Sequence, residues 1–281
     1  MKKIMFFMAA MLMAGCYYDR EEMNEVGDEE SVEVTLTFMP YEMEAMTRTA
    51  TSIGDYCTRL DVWISDGTTQ IDAHQTSTDD DFGTLSLALN KTKTYSLIAV
   101  AHKCSDVATL ADGILSFAED KVTHSMIYVG TFSPGTSTSQ SFLMNRIVGQ
   151  FRLEIADVVP NEVTKFDYII KDTYNQWDVT QGEGVNLIDR TGTINLTSRN
   201  QDGGVTLNIF VIPTDLTTTD HFDVTMTARN AQNEVVESRT FENVPIKAGY
   251  RTTYHGTFFV TSQMTMSFVA DDWQSFNTVE Y

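Results

Sequence analysis

Residues 31–38 read Ser31-Val32-Glu33-Val34-Thr35-Leu36-Thr37-Phe38. Val32, Val34, Leu36 and Phe38 share one parity, and Glu33, Thr35 and Thr37 the other. Successive side chains of an extended chain point to opposite faces, so this alternation describes a strand with one buried face. The period returns in Leu60, Val62 and Ile64; in Leu85, Leu87 and Leu89; in Phe151, Leu153 and Ile155; in Phe166, Tyr168 and Ile170; and in Leu207, Ile209 and Val211. Phe222, Val224 and Met226 repeat it, as do Met264, Met266 and Phe268. Tyr95 to Ala101 is apolar on both parities and reads as a central strand. Turn signals at Asp66-Gly67, Asp202-Gly203-Gly204 and Asn230 to Asn233 join such strands into antiparallel sheets packed face to face. The prediction is an all-β chain. One stretch, Asp106 to Phe117, reads as a helix, with Val107, Leu110, Ile114 and Leu115 at helical spacing, although Asp112-Gly113 weakens it.

The most loop-like segment is Ser133-Pro134-Gly135-Thr136-Ser137-Thr138-Ser139, and a fresh strand series begins near Phe142. This predicts two β-sandwich domains, 31–145 and 146–281, that meet near residue 145, with a protease-sensitive hinge near residues 133–139. The length suits one large or two ordinary domains. No short repeat period points to a solenoid or propeller.

The first thirty residues give an address. Lys2 and Lys3 precede an apolar run from Ile4 to Met13 that ends in Met13-Ala14-Gly15-Cys16. The run is too short to span about 30 Å of hydrocarbon. Small residues before a cysteine make 1–15 a bacterial lipoprotein signal peptide, cut so that the Cys16 thiol receives the lipid. Residues 16–30 follow as an acidic tether: Asp19, Glu21, Glu22, Glu25, Asp28, Glu29 and Glu30 stand against the single Arg20. Acidic residues just after the acylated cysteine also resemble the surface-export signal of Bacteroidota lipoproteins. The expected location is the outer membrane, facing outward, with attachment through the acyl chains on Cys16.

Formal charge is −20, and removing residues 1–15 takes away Lys2 and Lys3 to leave −22. So acidic a surface repels phosphate backbones, which excludes nucleic acid as a partner class. No later segment is apolar for long enough to cross a bilayer as a helix. Two cysteines remain after acylation, Cys57 and Cys104. In an oxidising compartment they could form a disulfide, and otherwise they serve as small buried apolar residues; spacing alone does not choose.

Candidate chemistry is sparse. His74, His102, His124, His221 and His255 lack the spacing of a metal pair. Asp79-Asp80-Asp81 lacks the alternation and closing glutamate of a calcium loop and reads as a solvated turn. No nucleophile elbow, phosphate loop or dinucleotide fingerprint occurs. The sequence predicts neither an enzyme nor a bound cofactor.

Three segments carry a family resemblance. Leu143-Met-Asn-Arg146-Ile-Val-Gly-Gln-Phe151-Arg-Leu153 resembles the strand that opens the C-terminal domain of Bacteroidales fimbrillins, the type V pilins with their anchor, tip and accessory relatives. Val244-Pro-Ile-Lys-Ala-Gly249-Tyr-Arg-Thr-Thr-Tyr-His-Gly256-Thr-Phe-Phe259 is similar to their late hairpin, and Asp272-Trp273 to their near-terminal Asp-Trp. The resemblance implies two tandem transthyretin-like sandwiches and a structural, adhesive role in a surface fimbria. Its implied partners are other fimbrial subunits and ligands on host or bacterial surfaces.

In polymerising members an Arg-specific protease removes the acylated segment and first strand, and a strand from the next subunit fills the groove. Here the exchangeable strand would be Val32, Val34, Leu36 and Phe38 with their neighbours. Arg48 is the one basic residue between Arg20 and Arg59, and so the candidate maturation site. Only Gln274 to Tyr281 follow Trp273. A donor strand needs about 10 extended residues, so part of the Met264-to-Phe268 strand would have to peel away, a demand that an anchor subunit avoids. A competing expectation is a surface glycan-binding lipoprotein of a polysaccharide-uptake system, with Trp63, Trp177 and Trp273 as a stacking platform.

Overall fold

A computed structural model describes residues 30–41, 52–196, 204–260 and 264–270. The first half contains β1 (Ser31–Pro40), a 3-10 turn at Ile53–Asp55, β2 (Arg59–Ser65), β3 (Gln70–Thr76), β4 (Thr84–Asn90) and β5 (Tyr95–His102). It continues with β6 (Thr109–Ala111), β7 (Ile114–Ser116), a second 3-10 turn at Ala118–Asp120, β8 (Met126–Phe132) and β9 (Ser139–Arg146). The second half contains β10 (Gly149–Ile155), β11 (Val163–Asp178), β12 (Glu183–Asn195), β13 (Val205–Val211), β14 (Asp220–Asn230), β15 (Val235–Ile246), β16 (Tyr250–Gly256) and β17 (Thr265–Ala270). The fold is all-β, as the two-residue period requires.

Strands of the first half run in the order β3-β2-β5-β8-β9-β1-β4. Only Met126–Arg146 and Ile127–Asn145 pair β8 with β9, and the sheet turns over on itself across that narrow seam. Val34, Leu36 and Leu85 thereby share one core with Leu60, Val62 and Leu97. In the second half β13-β10-β16-β17 packs on β15-β14-β11, which β12 extends along β11. Phe151, Leu153, Phe166, Met226 and Phe258 fill the space between. Each half contains one parallel pair, β1 with β9 and β10 with β16.

Two expectations are corrected. Asp106 to Phe117 is not a helix: β6 and β7 form a hairpin across Asp112 and Gly113, whose φ values are 51° and 79°. An Asp-Gly pair accepts positive φ at both central positions, which a tight hairpin turn demands and a helix cannot use. The 133–139 loop is not a hinge between sandwiches either. It joins β8 to β9 within the first sheet, and Phe142 lies on β9, paired with Phe38 of β1. The change of sheet comes later, between Arg146 and Gly149.

The misread hairpin joins the halves. β7 adds to β11 through Ser116–Gln176, Leu115–Trp177 and Ile114–Asp178, and the Val179 amide donates to the Gly113 carbonyl at 2.9 Å. A Cβ on Gly113 would lie 2.9 Å from Thr180 Oγ1, so the turn fits its neighbour closely. The buried Arg190 guanidinium donates to the Val122 carbonyl at 2.9 Å and to the Phe210 carbonyl. Trp177, Val179, Phe210 and Ile212, all from the second half, complete the core of the first.

Candidate functional site

The candidate site is the place occupied by β1. Its neighbours are β4, antiparallel, and β9, parallel, so both of its edges are covered. Val34, Leu36 and Phe38 are buried, Val32 is half-buried, and the Phe38 ring stacks on Phe142 at 5.7 Å. Thr35 and Thr37 face outward, as the alternation dictates. At the end of the strand the Phe38 amide donates to the Gly83 carbonyl at 2.9 Å, and the Tyr41 amide to the Met144 carbonyl at 2.8 Å. Gly83 adopts φ +93°, a left-handed conformation suited to glycine, and a Cβ there would press on Ile53 at 3.1 Å. Ile53 is fully buried on a turn capped by Ser52 and Asp55. Removal of β1 would uncover an apolar slot between β4 and β9 and two rows of unpaired backbone groups.

Other residues singled out in the sequence fall as follows. Cys16, Arg48 and Trp273 lie outside the described residues. Arg48 belongs to the ten positions, 42–51, between Tyr41 at the end of β1 and Ser52 at the first cap. Cys57 and Cys104 are buried thiols directed at different carbonyls: Cys57 Sγ lies 3.8 Å from the His124 oxygen, and Cys104 Sγ 3.2 Å from the Lys121 oxygen. Trp63 and Trp177 are 8 % and 1 % exposed in the same core, which leaves neither as a stacking platform. Asp79 accepts the Thr76 amide within its own turn at 2.7 Å.

Two buried polar clusters escaped the sequence reading because their members are far apart in the chain. Asp61 Oδ2 accepts from His102 Nε2 at 2.8 Å and from the Ala108 amide at 2.7 Å, while Oδ1 faces His74 Nδ1 at 3.0 Å. Burial pushes the Asp61 carboxyl up, but the His102, His74 and Ala108 hydrogen bonds outweigh it and hold the group at about 2. The cluster fastens the start of the 103–124 excursion to β2. The other cluster lies where the halves meet. His124 Nδ1 donates to the Tyr56 carbonyl at 3.2 Å, its Nε2 accepts from Arg146 Nε at 3.2 Å, and its ring faces Phe210 at 5.5 Å. Burial and the adjacent Arg146 cation drive His124 down to about 3, so the ring is neutral.

No family model matches the chain, and a search of curated proteins finds no similar sequence. Solved structures do match. A candidate adhesin from Bacteroides ovatus superposes with a TM-score of 0.50 at 14% identity, covering 86% of this chain and 95% of that one. The chain has the fold of that adhesin structure. A candidate cell adhesion protein from the same species gives 0.49 at 13% identity over 85% and 96% of the two chains. The fimbrial anchor protein Mfa2 from Porphyromonas gingivalis gives 0.41 at 9% identity over 79% and 90%. The all-β fold expected from the alternation is thus shared with that first adhesin structure over most of the chain.

Proposed function

We propose that this protein is a structural, non-enzymatic subunit of a cell-surface fimbria, as stalk, tip or anchor, that serves adhesion. In this reading residues 1–15 are removed, and Cys16 carries the lipid that holds the acidic tether to the outer membrane. Domains 31–145 and 146–281 form the exposed body, and other fimbrial subunits are its partners.

The observation that supports this reading most is the position of β1. It is the first strand among the described residues, follows the proposed tether directly, and lies between β4 and β9 with its apolar face in the core. Residues 42–51, with Arg48 among them, come next, so a single cut there would leave tether and strand on one removable piece. Each buried side chain of the Val34, Leu36, Phe38 set is worth about 1.5–3 kcal/mol in its place. The empty slot would therefore favour a donor strand strongly.

Low-dose trypsin is the test. Cleavage after Arg48 should release the segment containing Val32 to Phe38 and yield oligomers, which a peptide copying those residues suppresses. Arg48→Ala should stay monomeric under the same treatment. Rapid cutting at Arg48 without oligomers would exclude strand exchange at β1 and leave a permanent first strand, as an anchor requires.

A further inference from the structure

Edge strands present unpaired backbone N–H and C=O groups, and proteins ordinarily guard them with charge, proline, bulges or short length. β3 carries Asp72 and His74, β15 carries Glu237, Arg239 and Glu242 with two register shifts, and β6 has three residues. β4 has no such guard. Its sequence, Thr84-Leu85-Ser86-Leu87-Ala88-Leu89-Asn90, holds no charge, proline or glycine. It ends the order β3-β2-β5-β8-β9-β1-β4, and among the described residues its partner is β1 alone. The residues that flank it on both sides, 77–83 and 91–94, all belong to the described part of the chain.

The parity of the ladder fixes which backbone groups of β4 are open. The Phe38 amide donates to the Gly83 carbonyl at 2.9 Å and the Lys91 amide to the Glu30 carbonyl at 2.8 Å. Odd-numbered residues of β4 therefore turn their N–H and C=O toward β1, and even-numbered residues turn theirs outward. At the two ends the outward groups are used within the chain: Gln75 Nε2 caps the Thr84 carbonyl at 2.8 Å, and Tyr95 Oη accepts the Asn90 amide at 2.9 Å. Ser86 and Ala88 lie between, and their outward N–H and C=O groups have no partner among the described residues. Both side chains are small and exposed, so nothing obstructs an approaching backbone, while Leu85, Leu87 and Leu89 fill the core beneath.

This open stretch is its own complement. Set antiparallel against a copy of itself about a two-fold axis at Leu87, the Ser86 N–H meets the Ala88 C=O of the other copy and the Ala88 N–H meets its Ser86 C=O, and symmetry repeats both bonds. The same setting brings turns of opposite charge side by side, since Asp80 and Asp81 precede β4 while Lys91 and Lys93 follow it; Lys93 also pairs with Asp66. A parallel setting would bring aspartates beside aspartates. From this self-complementarity we infer that the outer edge of β4 docks on the same edge of a second copy of this chain, joining two first-half sheets into one. The short ladder and the formal charge of −20 on each copy keep the contact weak, so it forms between crowded copies while the dilute chain stays single. It needs no cut at Arg48 and leaves β1 in place, which separates it from strand exchange.

Sedimentation and amide exchange of the intact, uncut chain test this. Raising the protein from about 10 μM to about 1 mM should move the sedimenting mass toward that of a dimer and slow exchange at Ser86 and Ala88 about threefold or more, with β3 and β15 unchanged. Ala88→Lys adds the charge that edges ordinarily carry, and Ser86→Glu adds the opposite one. Both positions are exposed, so each variant should keep the thermal midpoint yet lose the pairing. Mixed in equal amounts the two should pair again, because the antiparallel register sets the new lysine of one directly against the new glutamate of the other. Absence of protection at Ser86 and Ala88 at the higher concentration, or a dimer that Ala88→Lys leaves intact, would overturn the assignment. A mixture that pairs no better than its components would overturn the antiparallel register on which it rests.

Discussion

His124 and Asp61 show how single side chains set the conditions under which the fold is stable. The His124 ring is ordinarily half-protonated near 6.5 but is held at about 3 in the folded chain. Between those values the unfolded chain binds a proton that the folded chain refuses, so stability falls as pH drops through that window, by about 1.4 kcal/mol per pH unit for this group. His102 is shifted upward, the Asp61 contacts outweighing burial, and acts in the opposite sense. The informative measurement is therefore a comparison. Denaturation midpoints of His124→Asn should be lower than those of the parent at pH 7 but change less between pH 7 and 4. An unchanged slope would mean that His124 is protonated in the fold. Asp61 contributes above about pH 4 and loses its contribution toward pH 2. Asp61→Asn leaves one of its donors facing an amide N–H2, and at neutral pH should cost about 3 kcal/mol in urea unfolding. Neither role was visible in the sequence, where an isolated histidine or aspartate reads as a surface residue until β2, β3 and β5 bring Asp61, His74 and His102 together.

At the scale of elements, alternation was the dependable signal. β1, β4, β10 and β13 lie where the two-residue period put them, because each has one face in a core and the period follows from burial. β7 failed that test for a physical reason. Three residues cannot display a period, and Leu115 is apolar because it is buried in the shared core beside Trp177 of the other half, not because it lies on a helix. Leu36→Ala in β1 removes a fully buried side chain between two covered edges and should cost 2–5 kcal/mol in denaturant unfolding. A cost below about 1 kcal/mol would mean that β1 is not seated in the core. Gly113→Ala should cost ~1–2 kcal/mol, since it combines φ +79° with a Cβ close to Thr180 Oγ1. Its effect should appear first as faster amide exchange at Gln176 to Asp178.

Across the whole molecule, the β7–β11 ladder, the Arg190 bridge and the shared core around Trp177 predict that the halves unfold together. Calorimetry of the intact chain should give one transition, and Arg190→Met should split it into two. A protease nick within residues 133–139 should leave both fragments associated, because the cut loop connects strands of one sheet. Separation of the fragments would instead restore a hinge at that loop. The sequence suggested a boundary there from composition alone, since Pro134-Gly135 and serines mark a loop without saying which strands it connects. That information resides in long-range pairing, above all β1 with β9, which no local pattern reports.

The parallel pairing of β1 with β9, beside its antiparallel ladder with β4, also has a mechanical meaning. A pull on the chain ahead of Ser31, directed along the strand, cannot open either ladder one bond at a time. It loads both in shear, so that the backbone hydrogen bonds on both sides of β1 share the force and must give way nearly together. The chain is thus strongest against tension applied ahead of Ser31, while β17, bonded among the described residues to β16 alone, would peel from a pull directed across it at far lower force.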